Sequence, residues 1–199
     1  MTTCVGQEAP DFEARAFVGG DFTSEKLSNH RGKWVALVFY PGDFTFVCPT
    51  EVAAVASKHD EFQALGVDVL SLSIDSVFTH KIWLEQELSK MVKGGGIPFA
   101  MLSDERGQIG IDYGIFNESE GVNLRATFLV DPEGVIQSME VLPLAVGRNI
   151  DELIRQIRAL QYVRATGELT PCAWQPAQAG LKPTPDLVGQ VWKHWKVAF

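Results

Sequence analysis

A cysteine followed by a proline marks the segment of this sequence whose residue types suggest chemistry. Cys48 precedes Pro49, at the point where an apolar run and a Pro-Gly turn give way to a helical pattern. Proline disfavours helical geometry in the residue before it and is common in the first turn of helices, so Cys48 should lie at or just before a helix start. Unpaired backbone N–H groups and the helix dipole favour an anion there. A thiolate is the nucleophilic and easily oxidised form of cysteine.

Two interpretations of Cys48 remain open from this spacing alone. It is either a reactive thiol or a small buried apolar residue, which is what most unpaired cysteines are. The other cysteines, Cys4 and Cys172, lie far away in the chain, and an odd count at long spacings is not the framework of a disulfide-rich secreted domain. The absence of a C-x-x-C pair excludes a thioredoxin-like dithiol. Cysteines and histidines form no close pairs typical of a zinc site, so we predict no metal.

The composition indicates a globular chain without nucleic-acid or membrane partners. Its 199 residues are 46% hydrophobic and 21% charged, proportions that exclude intrinsic disorder and fibrous classes. The formal net charge of −8, with no basic run, argues against binding to nucleic acid or to an anionic membrane surface. No apolar stretch approaches the ~20 residues that span a bilayer, and the N-terminus lacks a secretory signal pattern. We therefore expect a cytoplasmic protein.

The hydrophobic patterns predict an α/β body with a central mixed sheet. Strands are expected in the apolar runs at residues 34–40, 67–74, 97–102, 125–131 and 135–141. The turn from Asp131 to Gly134 predicts that the last two strands form a hairpin. Helices are expected at residues 49–65, 76–92, 107–113 and 150–163. In the second of these helices the side chains expected to be buried are Phe78, Ile82, Leu84 and Leu88. Residues 1–33 are predicted to be rich in loops, and Gly19-Gly20 is a turn signal.

The C-terminal residues differ in character from the rest of the chain. Residues 165–199 are crowded with prolines and contain three of the five tryptophans. Such a segment cannot form a core of its own, so we expect an extended arm that packs on the body or on a partner chain. The predicted organisation is a body of residues 1–164 and a C-terminal arm of residues 165–199.

The segment around Cys48 resembles the peroxiredoxins. The pattern Pro41-x-x-x-Thr45-x-x-Cys48 is similar to the active-site signature of that family, and FYPGDFTFVCPTE resembles its typical 2-Cys class. The likeness covers nearly the whole chain through SIDSVFTHKIW, RATFLVDPEGVIQSMEV, GRNIDELIRQIRALQYV and PDLVGQV. These strings are similar to the small subunit of bacterial alkyl hydroperoxide reductase. The resemblance implies a thioredoxin-like fold and a thiol peroxidase that reduces hydrogen peroxide and organic hydroperoxides.

The resemblance also implies a role for each residue of the signature. Cys48 matches the peroxidatic cysteine, whose thiolate attacks the peroxide and becomes a sulfenic acid. Thr45 matches the hydroxyl that orients the peroxide, and Pro41 matches the ring that shields the site. Arg125 matches the guanidinium that stabilises the thiolate and the charge developing in the transition state.

Two further residues match positions that hold the arginine and the loop in place. These are Glu51 and Arg148. Without the resemblance, Glu51 is an acidic residue in a first helical turn, Thr45 a turn residue and Arg125 a charge at a strand end.

The cysteine expected to complete a disulfide is displaced from the family pattern. The resolving motif of this class is Val-Cys-Pro-Ala-x-Trp, and its counterpart here is Leu169-Thr-Pro-Cys-Ala-Trp174. Thr170 stands where the cysteine is expected, and Cys172 follows two residues later, roughly 7 Å of extended chain. Because a mobile arm can absorb that shift, we expect Cys172 of one subunit to resolve Cys48 of its partner. The alternative is a one-Cys peroxidase resolved by an external thiol. Cys4 has no counterpart and is interpreted as incidental.

The partners implied by the resemblance are a hydroperoxide substrate and a separate reductant. The enzyme would carry no cofactor, and its electrons would come from a flavin- and NADH-dependent disulfide reductase or from thioredoxin. The implied assembly is an antiparallel homodimer that exchanges C-terminal arms, often as five dimers in a decamer. A different class of function is an oligomeric holdase or redox-relay protein. A thiol–disulfide oxidoreductase is the third class, and the missing C-x-x-C argues against it.

Overall fold

The computed structural model describes residues 3–196 and divides the chain into two compact units. The first unit ends at Ile150 and the second begins at Asp151. This division groups the last long helix with the arm. The boundary expected after residue 164 stays a prediction.

The first unit contains a seven-stranded mixed sheet and a separate two-stranded sheet. The strands among the described residues are β1 Glu13–Val18, β2 Asp21–Lys26, β3 Trp34–Phe39, β4 Val67–Ser73, β5 Ala100–Ser103, β6 Phe116–Asn117, β7 Val122–Asn123, β8 Arg125–Val130 and β9 Ile136–Leu142. The large sheet has the order β2-β1-β5-β4-β3-β8-β9, and β6 pairs with β7. Strand β4 runs parallel to β3 and β5, and the other pairs are antiparallel. The predicted mixed α/β sheet is confirmed.

The two central strands β3 and β8 set the position of the site. All six side chains of each strand are buried. Both faces of the two strands are therefore covered, as the continuous apolar run of β3 predicts. Their antiparallel register pairs Phe39 with Ala126 and Val35 with Val130. The carboxyl end of β3 therefore lies beside the amino end of β8, where Arg125 is the first residue.

Six α-helices are described in residues 3–196, beside short 3-10 helices at Leu27–His30, Pro185–Leu187 and Val191–Lys193. The α-helices are α1 Cys48–Ser57, α2 His59–Ala64, α3 Val77–Trp83, α4 Ser89–Met91, α5 Gln108–Asp112 and α6 Ile150–Thr166. The first helix begins at Cys48 and has Pro49 in its first turn, as the sequence predicts. The predicted helix over 49–65 is interrupted at Lys58, which separates α1 from α2. A single π-helical turn, Leu84–Leu88, joins α3 to α4. None of the helices in residues 3–196 is long and apolar enough to cross a membrane.

The predicted buried face of the helix over 76–92 is wrong at two positions. Phe78 is 56% exposed and Ile82 is also exposed, although both are large and apolar. Phe78 instead packs on the outside of the sheet, where its ring contacts Phe22 with centroids 5.1 Å apart. His80 occupies one of the inward positions because its ring is paired with the buried Asp43. The π-helical turn then changes which of the later residues face inward. The buried positions are Val77, His80, Trp83 and Leu88.

The loop prediction for residues 1–33 is also wrong in part, because β1 and β2 form a hairpin there. Gly19 and Gly20 form the turn, with φ values of 60° and 95° that favour glycine. Strand β2, DFTSEK, lies at the edge of the sheet and is almost entirely exposed. Its polar sequence therefore lacks the alternation that reveals a half-buried strand.

In the second unit the arm packs on helix α6 through a tryptophan. Trp174 is 3% exposed, and its ring lies 4.9 Å from that of Tyr162 on α6. Its indole N–H donates to the Gln178 carbonyl at 2.9 Å, and the Arg155 guanidinium donates to the carbonyl of Trp174 at 2.9 Å. These contacts give the arm residues a buried anchor within their own unit. Packing of the arm on a partner chain stays a prediction.

Candidate active site

Cys48 lies buried at the start of α1, after the loop that follows β3. Its side chain is fully buried, with 0% exposure. No side chain caps this helix, and the backbone N–H groups of Thr50 and Glu51 donate to the Val47 carbonyl at 3.0 and 3.3 Å. The sulfur therefore lies at the positive end of the helix dipole, which it shares with the carboxylate of Glu51 in the first turn.

The side chain of Arg125 reaches Cys48 from the neighbouring strand. Its Nη1 atom lies 3.3 Å from the Cys48 sulfur and 2.6 Å from Oε2 of Glu51. Its Nε and Nη2 atoms both donate to the Leu144 carbonyl, at 2.9 and 2.7 Å. Burial alone would lower the pKa of Arg125, but the Cys48 sulfur and the Glu51 carboxylate raise that pKa above its ordinary value. The guanidinium is thus charged and held on two sides.

Glu51 joins Arg125 to a second buried arginine. Its Oε1 accepts from the backbone N–H and the Nε of Arg148, each at 2.9 Å, and its Oε2 accepts from Nη2 of Arg148 at 3.0 Å. Arg148 is fixed in turn because its Nη1 donates to the carbonyls of Phe39 and Ala126 at 2.8 and 2.9 Å. Burial would raise the pKa of Glu51, but the arginines, Arg148 first, hold that pKa below its ordinary value. Glu51 is therefore a carboxylate between two cations.

A cleft of about 380 Å³ opens above this cluster. Thr45 lies in its wall, with its hydroxyl donating to the Gly42 carbonyl at 3.0 Å. Arg125 forms part of the floor, since it is buried and also touches the Cys48 sulfur. Phe46, which is 98% exposed, belongs to the rim. The lining residues are Pro41, Thr45, Phe46, Val47, Glu120, Val122, Arg125, Leu144 and Ala145.

The structure brings six of the seven sequence-predicted site residues together in the first unit. They are Cys48, Thr45, Arg125, Pro41, Glu51 and Arg148. The seventh, Cys172, lies in the second unit and is exposed. It stands in a turn in which the Trp174 N–H donates to the Pro171 carbonyl at 3.1 Å and Ala173 has a φ of 55°. All three cysteines, including the exposed Cys4, are free thiols.

A buried polar network behind the loop was not foreseen from the sequence. The Tyr40 hydroxyl donates to Asp43 at 2.9 Å, and the other oxygen of Asp43 lies 2.7 Å from Nδ1 of His80. The backbone N–H of Asp43 donates to Asp75 at 2.8 Å. Burial raises the pKa of Asp43, and its bond to His80 opposes that effect. A polar residue at an inward position of α3 is the sequence signal that could have indicated it.

The arrangement suits attack by a sulfur nucleophile. A thiol at a helix start, in contact with a fixed guanidinium and below a mostly apolar cleft, is placed to react as a thiolate with a small electrophile. Among residues 3–196, no group of three or more histidine, cysteine, aspartate or glutamate side chains is placed to hold a metal ion.

Comparison with known proteins identifies the family. A model of the AhpC/TSA family matches residues 5–139, well over half of the chain. The chain belongs to the AhpC/TSA family. A second model, described as the C-terminal domain of 1-Cys peroxiredoxin, matches residues 159–194 of this peroxiredoxin.

Individual relatives agree with that assignment. This peroxiredoxin is 57% identical over 195 residues to the selenocysteine-containing peroxiredoxin PrxU of Peptoclostridium acidaminophilum, covering 97% of this chain and 96% of that protein. The reduced 2-Cys peroxiredoxin of Plasmodium vivax superposes with a TM-score of 0.90 at 39% identity, covering 96% of this chain and 99% of that one. Enterococcus faecalis AhpC superposes with a TM-score of 0.78 at 37% identity, over 84% of this chain and 98% of that one. The thioredoxin-like peroxiredoxin fold is confirmed, and the protein is a peroxidase.

Proposed function

We propose that this peroxiredoxin reduces hydrogen peroxide and organic hydroperoxides through a sulfenic acid formed on Cys48. The observation that carries the proposal is the 3.3 Å contact between the Cys48 sulfur and Nη1 of Arg125. A hydrogen bond from a charged donor favours the thiolate, which is the attacking species. The same donor lies beside the place where charge shifts from sulfur to oxygen during attack.

The first step is a displacement at the peroxide oxygen. The Cys48 thiolate attacks one oxygen, the O–O bond breaks, and the departing oxygen takes a proton to leave as water or an alcohol. Thr45 orients the peroxide: its hydroxyl proton is engaged with the Gly42 carbonyl, so its oxygen lone pairs can accept from the peroxide O–H. Pro41, in the cleft wall, limits the access of water to the thiolate.

Glu51 and Arg148 act through Arg125 rather than on the peroxide. Glu51 accepts from Nη1 of Arg125 at 2.6 Å, and Arg148 holds Glu51 through three hydrogen bonds. They are positioning residues in this proposal. Their loss would let the guanidinium turn away from the sulfur.

The second step forms a disulfide with the displaced cysteine. The thiolate of Cys172 of the partner subunit attacks the Cys48 sulfenic acid, the S–O bond breaks, and hydroxide leaves and becomes water. Because Cys48 is fully buried, the first turn of α1 must open before any second sulfur can reach it. An external disulfide reductase, either a flavoprotein or a thioredoxin, then reduces the disulfide to the two thiols.

A one-Cys cycle is the alternative, and Thr170 is the observation that favours it. The position at which the class carries its resolving cysteine holds a threonine, and Cys172 sits two residues further along in a closed turn. In that cycle an external thiol would attack the Cys48 sulfenic acid directly.

The proposed assembly is a homodimer that associates further into a decamer. Exposed aromatic side chains on the first unit support association, since Phe22 and Phe78 are in contact on the surface and Phe46 is exposed at the rim of the cleft. Sedimentation at micromolar concentration should then give ten times the 21.9 kDa of one chain. The three free thiols, two of them exposed, favour a reducing compartment such as the cytosol.

Non-reducing gel electrophoresis after one equivalent of hydrogen peroxide tests the cycle. The wild type should give a dimer that dithiothreitol separates, and both Cys48→Ser and Cys172→Ser should abolish it, whereas Cys4→Ser should retain it. Peroxide consumption that persists in Cys172→Ser with an external thiol, with no dimer in the wild type, would establish the one-Cys cycle. Peroxide consumption in Cys48→Ser would contradict the proposal itself.

A further inference from the structure

The rim of the cleft carries an acid that the peroxide chemistry does not use. Glu120 and Arg125 are the ionisable residues among the described residues that line the cleft. We propose that Glu120 is a specificity-determining residue that disfavours hydroperoxides carrying an anionic group, so that the cleft selects neutral hydroperoxides with an apolar tail. This inference rests on the proposed function of Cys48.

The charges on the floor of the cleft balance one another. Arg125 faces the Cys48 sulfur and the Glu51 carboxylate, and Arg148 is paired with the same carboxylate. With Cys48 as the thiolate, two guanidinium groups are matched by two anions. The floor therefore offers little net attraction to another anion, and the carboxylate of Glu120 is the unbalanced charge in the lining.

The rim position of Glu120 is defined by the turn that joins β6 to β7. The side-chain oxygen of Asn117 accepts from the backbone N–H groups of Ser119 and Glu120 at 3.1 and 3.3 Å. The turn closes with Gly121 N–H donating to the Asn117 carbonyl at 2.8 Å. Glu120 itself is exposed, in contrast to the buried Arg125. When the peroxide group of a substrate is at the floor, its tail therefore extends toward the entrance, where this carboxylate lies.

The remaining lining complements a carbon chain or ring rather than a polar group. Apart from Thr45, Glu120 and Arg125, every lining residue that the structure describes is apolar. These residues are Pro41, Phe46, Val47, Val122, Leu144 and Ala145. A tail that buries apolar area here gains binding free energy. A carboxylate on the same tail would lose hydration and also meet Glu120.

The test compares two hydroperoxides that differ by one charge. The second-order rate constant for Cys48 oxidation is measured for cumene hydroperoxide and for its para-carboxylate derivative, on the full-length protein at low salt. A carboxylate that comes within about 7 Å of Glu120 in water should be disfavoured about threefold, so Glu120→Gln should raise the carboxylate-to-parent ratio by about that factor. Glu120→Lys should raise the ratio further. Because the effect is Coulombic, it should disappear near 1 M salt, where the screening length is ~3 Å.

Glu118→Gln is the matched control, because Glu118 is an exposed acid two residues away that does not line the cleft. Its ratio should rise less than that of Glu120→Gln, because Glu118 does not line the cleft. An unchanged ratio in both Glu120 variants, an equal rise in Glu118→Gln, or a rise that persists at high salt would each overturn the inference. The rate with hydrogen peroxide distinguishes a failure of the proposed function from a failure of this inference. If hydrogen peroxide does not oxidise Cys48 in the wild type, the proposed function is wrong. If that oxidation is rapid but the carboxylate-to-parent ratio is unchanged in the Glu120 variants, only the role of Glu120 is refuted.

Discussion

Replacing Glu51 by glutamine tests how strongly the charge cluster beneath Cys48 holds the first unit together. Glu51 has a side chain only 2% exposed and accepts hydrogen bonds from both Arg125 and Arg148. Glutamine keeps the shape and removes the charge, which leaves the two buried guanidinium groups without the carboxylate that lies between them. Breaking a buried ion pair in this way costs about 3–5 kcal/mol. With a urea m-value of about 2 kcal/mol/M, the unfolding midpoint should fall by roughly 1.5–2.5 M.

The pH dependence of that loss follows from the lowered pKa of Glu51. The pKa of Glu51 is lower in the folded state than in the unfolded chain. Its carboxylate therefore stabilises the fold when the pH is above the unfolded-state pKa of ~4.3, and this stabilisation disappears as the pH falls through the folded-state pKa. The difference between wild type and Glu51→Gln should therefore be complete at pH 7 and should shrink in acid below pH ~4.

Urea unfolding followed by circular dichroism, at pH 7 and then in steps down to pH 3, measures both effects. The matched control is Glu61→Gln, which removes a carboxylate paired with Lys58 at 3.0 Å on the surface. Such exposed pairs contribute about 0–1 kcal/mol. A loss below about 1 kcal/mol in Glu51→Gln at pH 7, a loss equal to that of the control, or a loss independent of pH would refute the reasoning.

Three further predictions concern the cleft and the arm. Arg125→Met should slow Cys48 oxidation by hydrogen peroxide by about 10²–10³-fold in stopped-flow fluorescence, and a rate within a factor of three of wild type would contradict the role given to the guanidinium. Thr45→Val should slow the same step by about tenfold, the worth of one hydrogen bond, while Thr45→Ser should restore the rate; equal rates in both variants would exclude the hydroxyl. Trp174→Ala should destabilise the arm by about 3–5 kcal/mol, which hydrogen exchange would show as lost protection in residues 167–181 but not in β3; uniform loss would indicate global unfolding instead.

The sequence was sufficient to predict those structural features that depend on interactions between residues close together in the chain. Pro49 restricts the residue next to it, so the helix start at Cys48 could be placed from two letters of sequence. The turn from Asp131 to Gly134 was equally predictable, because Oδ1 of Asp131 accepts from the N–H groups of Glu133 and Val135 within the same turn. The fully apolar run of β3 likewise indicated a central strand before its partners were known.

The contacts of the candidate site are instead long-range, and no local pattern contains them. Arg125 and Arg148 lie 74 and 97 residues from Glu51 along the chain. Composition and periodicity leave each of the three as an ordinary surface charge, and the resemblance to a family was needed to single them out. Arg125 is also held by the backbone carbonyl of Leu144, and a backbone contact of this kind cannot be predicted from the type of side chain at that position. The face of α3 was misassigned for a related reason, because His80 is buried by a partner 37 residues away.

The orientation of both arginines is determined by backbone carbonyls, and this connects the sheet to the chemistry. Nη1 of Arg148 donates to the carbonyls of Phe39 and Ala126, two residues that the β3–β8 register places opposite each other. Arg125, the first residue of β8, is held by the Leu144 carbonyl through two of its nitrogens. Donors fixed before the substrate arrives need no reorganisation during reaction, which is what makes their stabilisation of developing charge large. On the proposed mechanism, the buried pairing of β3 with β8 therefore governs the reactivity of Cys48 as directly as the helix start on which it lies.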